Sequence, residues 1–259
     1  ISINNVTVNE DAGTMSFTVT LGHATTAAVS FNYASSNDTA TAGADYTAVT
    51  GSGSIAAGVT TTTITVPISD DFRKEGNESF NVTLSSLSAN VAASGNDLVG
   101  VGTITDAGST TPTETVGAAD TVYAVIEGPA ATTEGAVTGN FTVRLVNSAG
   151  AAVTVANATN VTVQFGSGSA EAGDYVATRQ TVTIAAGSSS QTLTVATNED
   201  VDFDNETFVA SISSVADTGE FEAINITTGA GGFLPSVTAS ITDNDTAPTG
   251  ASKFATSSS

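Results

Sequence analysis

Hydrophobic side chains fall on every second position over most of this chain. Met15, Phe17, Val19 and Leu21 alternate with Ser and Thr, as do Val29, Phe31 and Tyr33, then Ile64, Val66 and Ile68, then Phe80, Val82 and Leu84. The pattern returns with Phe141, Val143 and Leu145; Val161, Val163 and Phe165; Leu193 and Val195; and Phe208, Ala210 and Ile212. A period of two places one face of a strand against a core and the other in solvent. Thr and Val dominate these runs, and β-branched side chains suit a pleated, half-buried surface. Clusters of Gly, Asn, Asp and Ser interrupt the runs at short intervals, and helical periodicity is nearly absent. Short strands with regular turns predict an all-β chain built from antiparallel β-sandwiches.

The runs also repeat as a set. Glu10, Phe17-Thr18-Val19, Gly43-Ala44-Asp45-Tyr46, Asp70-Asp71, Glu78, Phe80 and Ile104-Thr105-Asp106 come in one order. Glu134, Phe141-Thr142-Val143, Gly173-Asp174-Tyr175, Glu199-Asp200, Glu206, Phe208 and Ile241-Thr242-Asp243 repeat it. An internal repeat of this size predicts two domains in tandem. The expected boundaries are a sandwich over 1–106, a polar linker over 107–120 with some hinge motion, a second sandwich over 121–245, and a Ser/Thr-rich tail over 246–259. The interval from Glu10 to Asp45 is 35 residues and that from Glu134 to Asp174 is 40, so the second domain carries a longer loop near 149–160. A longer late hairpin is expected around 217–235. Long loops on a rigid scaffold are where specific contacts concentrate.

Composition narrows the partners. The 259 residues include 26 acidic and 5 basic ones, for a formal charge of -21. Such a surface cannot replace the counterions of phosphates, so nucleic acid is excluded as a partner. Its self-repulsion calls for neutralisation of the densest acidic clusters. Cysteine is absent, which removes disulfides and thiolate metal sites. No apolar run is long enough to span a bilayer as a helix, and membrane insertion is not expected. Ile1 opens directly on a strand pattern without a signal peptide, as in a mature form or an excised piece. Abundant Thr, Ser, Ala, Gly and Asn with few Lys points to a secreted or cell-surface bacterial protein.

The repeated acids stand at the ends of strand runs. The first domain offers Glu10, Asp45, Asp70, Asp71, Glu75, Glu78 and Asp106. Strands that alternate in direction would bring these loops to one end of the sandwich. Carboxylate and carbonyl oxygens in such numbers suit a hard cation, calcium first. The isolated acids Asp38, Asp97, Asp120 and Glu220 are expected to be solvated surface groups. Tyr46 and Tyr175 are expected to pack beneath their loops.

These motifs resemble the Calx-beta family: a Glu ahead of a Phe-Thr-Val strand, a Gly-x-Asp-Tyr loop, an Asp-Asp-x-x-x-Glu-x-x-Glu-x-Phe segment and a closing Ile-Thr-Asp. The resemblance covers nearly all of both domains. It implies a seven-stranded immunoglobulin-like sandwich that binds calcium at one end. By this resemblance Glu10, Asp45, Asp70, Asp71, Glu75 and Glu78 are side-chain ligands, and Arg73 supplies a backbone carbonyl. Asp106 is followed by Ala107 where the family's richest sites run on in Asp, which implies one or two ions. In the second domain Glu134, Asp174, Glu206 and Asp243 match. Phe203 takes the place of Glu75, so Asp202 and Asp204 beside it are expected to substitute, with Asp200 and Asp245 nearby, in a remodelled, weaker site.

Other chemistries fit less well. The run Asp200-Val201-Asp202-Phe203-Asp204 opens like an EF-hand loop, but Asn205 replaces the required Gly and Ser211 the closing Glu. His23 is the only histidine, and neither repeat offers a nucleophile–base pair, so an enzyme is not expected. The expected role is a calcium-binding structural extender in an extracellular adhesion protein. Its partners would be calcium ions, neighbouring domains or copies of itself, and a host or surface ligand at the second domain's long loops. The alternative is a subunit of an extracellular filament assembled by strand exchange.

Overall fold

The computed structural model describes residues 1–89, 91, 97–106, 120–171, 173–201 and 203–245. Most of the proposed linker and the Ser/Thr-rich tail lie outside the described residues. Two compact units are present, the first containing Ile1–Asp120 with Phe221–Ala223 and the second beginning at Thr121.

The first unit is a sandwich of a three-stranded and a five-stranded sheet. Its strands are β1 (Ser2–Ile3), β2 (Val6–Asn9), β3 (Thr14–Thr20), β4 (Val29–Asn37), β5 (Thr50–Ile55), β6 (Thr61–Pro67), β7 (Glu78–Ser85) and β8 (Val99–Thr105). The sheets run β1-β3-β6 and β2-β8-β7-β4-β5. The opening strand serves both layers: β1 pairs antiparallel with β3, and β2 pairs parallel with β8. Two asparagines make the switch. Asn4 Oδ1 accepts the Thr18 N–H at 2.6 Å on one sheet, and Asn5 Oδ1 accepts the Val101 N–H at 2.9 Å on the other.

The alternation seen in sequence is the burial pattern observed. Met15, Phe17, Val19, Phe31, Val66, Phe80 and Val82 are fully buried between the layers. Tyr46 stacks on Phe80 at 4.2 Å, and Phe17 meets Phe80 edge to face at 5.9 Å. The last strand inverts the usual rule. In β8 it is Gly100 and Gly102 that face the core, while Val99 points outward. A Cβ on Gly102 would lie 2.6 Å from Met15 Sδ and 2.8 Å from the Phe80 ring, so the large aromatic fills the room a side chain would need.

The second unit repeats this plan with β9 (Thr121–Glu127), β10 (Ala131–Thr133), β11 (Phe141–Val146), β12 (Thr159–Ser167), β13 (Gln180–Ile184), β14 (Ser190–Leu193), β15 (Glu206–Ala216), β16 (Ala223–Asn225) and β17 (Ser236–Thr242). Its five-stranded sheet, β10-β17-β15-β12-β13, has the same order as that of the first unit. Tyr175 stacks on Phe208 at 4.6 Å, the counterpart of Tyr46 on Phe80. Both tyrosines lie buried beneath their loops, as expected.

Two expectations are corrected here. The 217–235 segment is not a hairpin: its strand β16 crosses to the edge of the four-stranded sheet β14-β11-β9-β16. Glu220 is not a solvated acid. It is buried, and its carboxylate accepts the backbone N–H groups of Ala156 and Asn157, pinning the 149–160 loop. That loop has orphan backbone donors that the strands cannot satisfy, and a carboxylate in its midst satisfies two of them.

Gly102→Ala is expected to lose about 1–3 kcal/mol by overpacking the aromatic core. Gly22→Ala, where nothing lies within 4 Å of the added carbon, is expected to stay within about 0.5 kcal/mol of wild type. Urea denaturation followed by circular dichroism checks both.

Candidate metal centre

The positions of the acids follow from strand register. In the first unit β2 and β8 run in parallel with Asn9 opposite Thr105. The next residue on each strand is an acid, so Glu10 and Asp106 emerge side by side. Glu78 opens β7 opposite Ile104, two residues ahead of Asp106. In the second unit β10 and β17 are parallel with Thr133 opposite Thr242, which sets Glu134 beside Asp243. Glu206 opens β15 opposite Ile241.

The central loops are positioned by a second shared device. Tyr46 bridges to Ile68 and Tyr175 to Thr197. The preceding aspartates then lie under the next loop. Ser69 N donates to Asp45 O at 3.0 Å, and Asn198 N donates to Asp174 O at 2.7 Å. Each side chain also turns back on its own loop. Asp45 Oδ2 accepts the Thr41 N–H at 2.6 Å, and Asp174 Oδ2 accepts the Glu171 N–H.

Four triads of carboxylates result, each with donor oxygens within 4.8 Å of one another: Asp45, Glu75 and Glu78; Glu10, Asp106 and Glu222; Asp174, Asp200 and Glu206; Glu134, Asp243 and Asp245. In the first unit a cavity of about 10 Å³, room for about one water-sized sphere, is lined by Glu10, Asp45, Asp71, Glu75, Glu78 and Asp106. All the donors are hard oxygens, the set that calcium takes in preference to nitrogen or sulfur. Glu10 is 7% exposed, yet its Oε1 has no hydrogen-bond partner. A buried carboxylate oxygen without a partner is costly, and a cation beside it removes the cost. The residues therefore fit a divalent cation.

Several of the sequence-derived ligands occupy other places. Asp70 and Asp71 are exposed. Asp71 lines the cavity, and its Oδ1 accepts the Arg73 N–H at 2.6 Å. Asp70 lies in neither triad and faces the charges of Asp120, Asp11 and Asp71. Arg73 forms an antiparallel bridge with Phe221 and is not among the cavity-lining residues. In the second unit the third place in the triad with Asp174 and Glu206 goes to Asp200, and Asp204 is exposed. Asp202 lies outside the described residues. The reason is the bridge register: Asp71 and Asp200 each stand three residues past the tyrosine's bridge partner. Asp200 therefore reaches the site before the chain arrives at Phe203, which is exposed.

Two further acids join the triads: Asp245, expected only near the second site, and Glu222, for which the sequence carries no expectation. Asp245 joins Glu134 and Asp243, and its N–H donates to Asp243 Oδ1 at 2.7 Å. An acid two residues past the Ile-Thr-Asp motif was a usable signal. Glu222 completes a triad of the first unit from a segment remote in sequence, and no motif marks it.

Crowding of like charges in partly desolvated places holds protons on these groups. Burial pushes Glu10 up to about 9, helped by its hydrogen bond to Glu222 and by the charges of Glu222, Asp106 and Asp70. Burial also lifts Glu78 to about 7, with a hydrogen bond to Asp45 and the charges of Asp45 and Glu75 adding to it. Glu222 rises to about 7 from burial and from its hydrogen bond to Asp106, against lowering by its bonds to Glu10 and Asp120. Glu75 is exposed overall but is raised where it faces the cluster, by desolvation and by Asp45, Asp71 and Asp106, with Arg73 opposing. For Glu134 the hydrogen bond from the Asp200 N–H lowers the value. Burial and the charges of Asp200, Glu199 and Asp243 outweigh it, and the net shift is upward.

A carboxyl whose folded value is raised favours the protonated fold. Its contribution is fully present below the ordinary carboxyl range and is lost as pH rises through the folded value. In chelator, melting temperature is therefore expected to fall between about pH 5 and 9, through the values of Glu78, Glu222 and Glu10. With millimolar calcium the trend is expected to reverse or flatten, because deprotonated carboxylates bind the ion. Calorimetric scans across this range in both buffers check it. A melting temperature that rises with pH in chelator would contradict this account of the cluster.

The Calx-beta domain model matches residues 1–108 and 118–230. Among solved structures, the chain is similar to the calcium-binding domain CBD12 of CALX1.1, at 20% identity over 83% of this chain and 80% of that one, with a TM-score of 0.39. It is similar to CBD12 of CALX1.2 at 16% identity over 93% and 99%, TM-score 0.39. It is also similar to the apo-form Calx CBD1 domain at 25% identity over 41% and 98%, TM-score 0.37. Among curated proteins none matches. The family match spans both sandwiches, and the chain belongs to the Calx-beta domain family as a tandem pair.

Proposed function

We propose that this chain is a calcium-binding structural module, a stiffened segment of a secreted or cell-surface bacterial protein that works in adhesion. One observation carries the reading. The same strand registers, used twice, gather carboxylates from separate parts of the chain into compact triads at the strand ends. A structural role needs a cation to link segments that otherwise repel one another, and these sites join a strand end, a central loop and the loop before Glu78 or Glu206.

Calcium would be held in the first unit by Glu10, Asp45, Glu75, Glu78 and Asp106. In the second unit it would be held by Glu134, Asp174, Asp200, Glu206, Asp243 and Asp245. When bound, the ion supplies positive charge that cancels the repulsion among these groups. The chain's own contribution is to present oxygens on a rigid scaffold, so that little is reorganised on binding. Binding to the folded form alone adds stability that grows as RT ln(1 + [L]/Kd). Extracellular modules bind at about 10⁻⁴–10⁻³ M, which keeps them loaded outside cells. The abundance of Thr, Ser, Ala, Gly and Asn with few Lys supports that location. The only histidine, His23, is exposed, in keeping with a role that is structural rather than catalytic.

Thermal melts of wild type, Glu78→Ala and Glu206→Ala in millimolar calcium and in chelator test the reading. Wild type is expected to melt higher in calcium, by about 5–10 °C for a gain of a few kcal/mol. Each substitution is expected to lower the gain, Glu78→Ala through the first unit and Glu206→Ala through the second. Identical wild-type melts with and without calcium would end the proposal.

A further inference from the structure

The triad of Glu10, Asp106 and Glu222 differs from the other three in its sequence origin. Two of its members are neighbours by strand register. The third stands 116 residues beyond Asp106 in sequence, yet it lies in the first compact unit, which includes Phe221–Ala223. In the second unit the matching place is filled locally by Asp245, two residues past Asp243. The first unit has Ala107 and Gly108 after Asp106 and so has no local acid to offer.

Backbone pairing fixes the segment that brings Glu222. Phe221 forms an antiparallel bridge with Arg73, and the Glu222 N–H donates to Phe72 O at 3.2 Å. The Phe221 side chain is 3% exposed, so the segment is anchored by burial as well. Glu222 is thus docked on the loop that carries Asp71 and Glu75.

The carboxylate oxygens divide into two sets. The outer set is satisfied by the backbone: Asp106 Oδ2 accepts the Glu75 N–H, and Glu222 Oε2 accepts the Asp120 N–H. The inner set is not. Glu10 Oε1 and Glu222 Oε1 are both buried and have no hydrogen-bond partner. Buried polar atoms in native folds are nearly always paired, and two carboxylate oxygens without a partner in one cluster give a cation a place to bind.

We infer that Glu222 is a direct calcium ligand of the first unit, replacing the acid that its final strand lacks, so that one ion binds residues 10, 106 and 222 together. The inference rests on the calcium reading above and adds to it a ligand from outside the 1–106 sandwich sequence. The other triad of the first unit, Asp45, Glu75 and Glu78, shares no residue with this one.

The test uses the full chain, stripped of metal, with calcium itself as the probe. Calorimetric titrations compare wild type, Glu222→Gln and Glu78→Gln, and each protein is also melted in chelator. Gln keeps an oxygen for the Asp120 N–H but removes the charge. Glu222→Gln is expected to lose one calcium equivalent or weaken it on the order of tenfold. It is also expected to melt no lower than wild type in chelator, because a source of repulsion is gone. Glu78→Gln is expected to lose a different equivalent and to leave the Glu222 site intact. If wild type binds no calcium, both the function and this inference fall. If wild type binds calcium and Glu222→Gln binds it identically, the function stands and the inference falls. If Glu222→Gln melts lower than wild type in chelator, Glu222 is a structural support and the assignment is overturned.

Discussion

The parallel pairing of the second segment of each opening strand with the last strand is the constraint on which the rest depends. Antiparallel strands can be joined by a tight turn, whereas a parallel pair joins chain segments far apart in sequence. Here it joins residues 6–9 to 102–105 and residues 131–133 to 240–242. The acids that follow, Glu10 with Asp106 and Glu134 with Asp243, are neighbours only because of this register. A slip of one residue would turn one acid of each pair to the other face of the sheet. The register is held from the other side by the core. Met15, Phe17 and Phe80 pack against the glycine face of β8, leaving no room for an alternative pairing.

The switch of the opening strand from one sheet to the other follows from that requirement. An uninterrupted strand could pair with β3 or with β8 but could not seal both layers. Asn4 and Asn5 supply hydrogen bonds to each sheet at the break, where the backbone alone would leave donors unpaired. In the second unit the same break falls at Gly128-Pro129. A Cβ on Gly128 would lie 2.6 Å from the Phe141 ring, so the glycine lets the chain pass over the core. Proline, lacking an N–H, has no ladder bond to lose there.

Strand content and most of the acidic positions were legible in the sequence for a shared reason. Both are set by short-range pattern: alternation gives the strands, and strand ends give the acids. Asp200 and Asp204 could not be ordered from sequence, because the choice depends on where Tyr175 bridges, a contact across the sheet. Phe203 stands in the place of Glu75 by distance from Glu206, whereas the chain's path to the site is set by distance from Thr197. Glu222 was invisible because nothing local marks it, and its place depends on pairing with Phe72 and Arg73. Glu220, two residues away, was misread for a related reason. An isolated acid is usually solvated, but this one satisfies backbone donors of a loop more than 60 residues earlier.

The division between core and rim explains how the fold carries so much like charge. The core of each sandwich is held by paired ladders and by aromatic stacks, and none of the clustered acids takes part in those stacks. Glu10, Asp106, Glu134 and Asp243 stand one residue past the ends of those ladders, and Glu78 and Glu206 open theirs, so the acids come close together without interrupting a backbone hydrogen bond. Repulsion among them is therefore resolved locally, by proton uptake or by a cation, while the scaffold stays in register. Because the scaffold and the ligands are separable, the two units can keep one geometry and change donors. Asp245 fills locally in the second unit the place that Glu222 fills from a distance in the first. What the repeat preserves is the strand register, and individual ligands vary wherever another part of the chain can bring an oxygen to the same point.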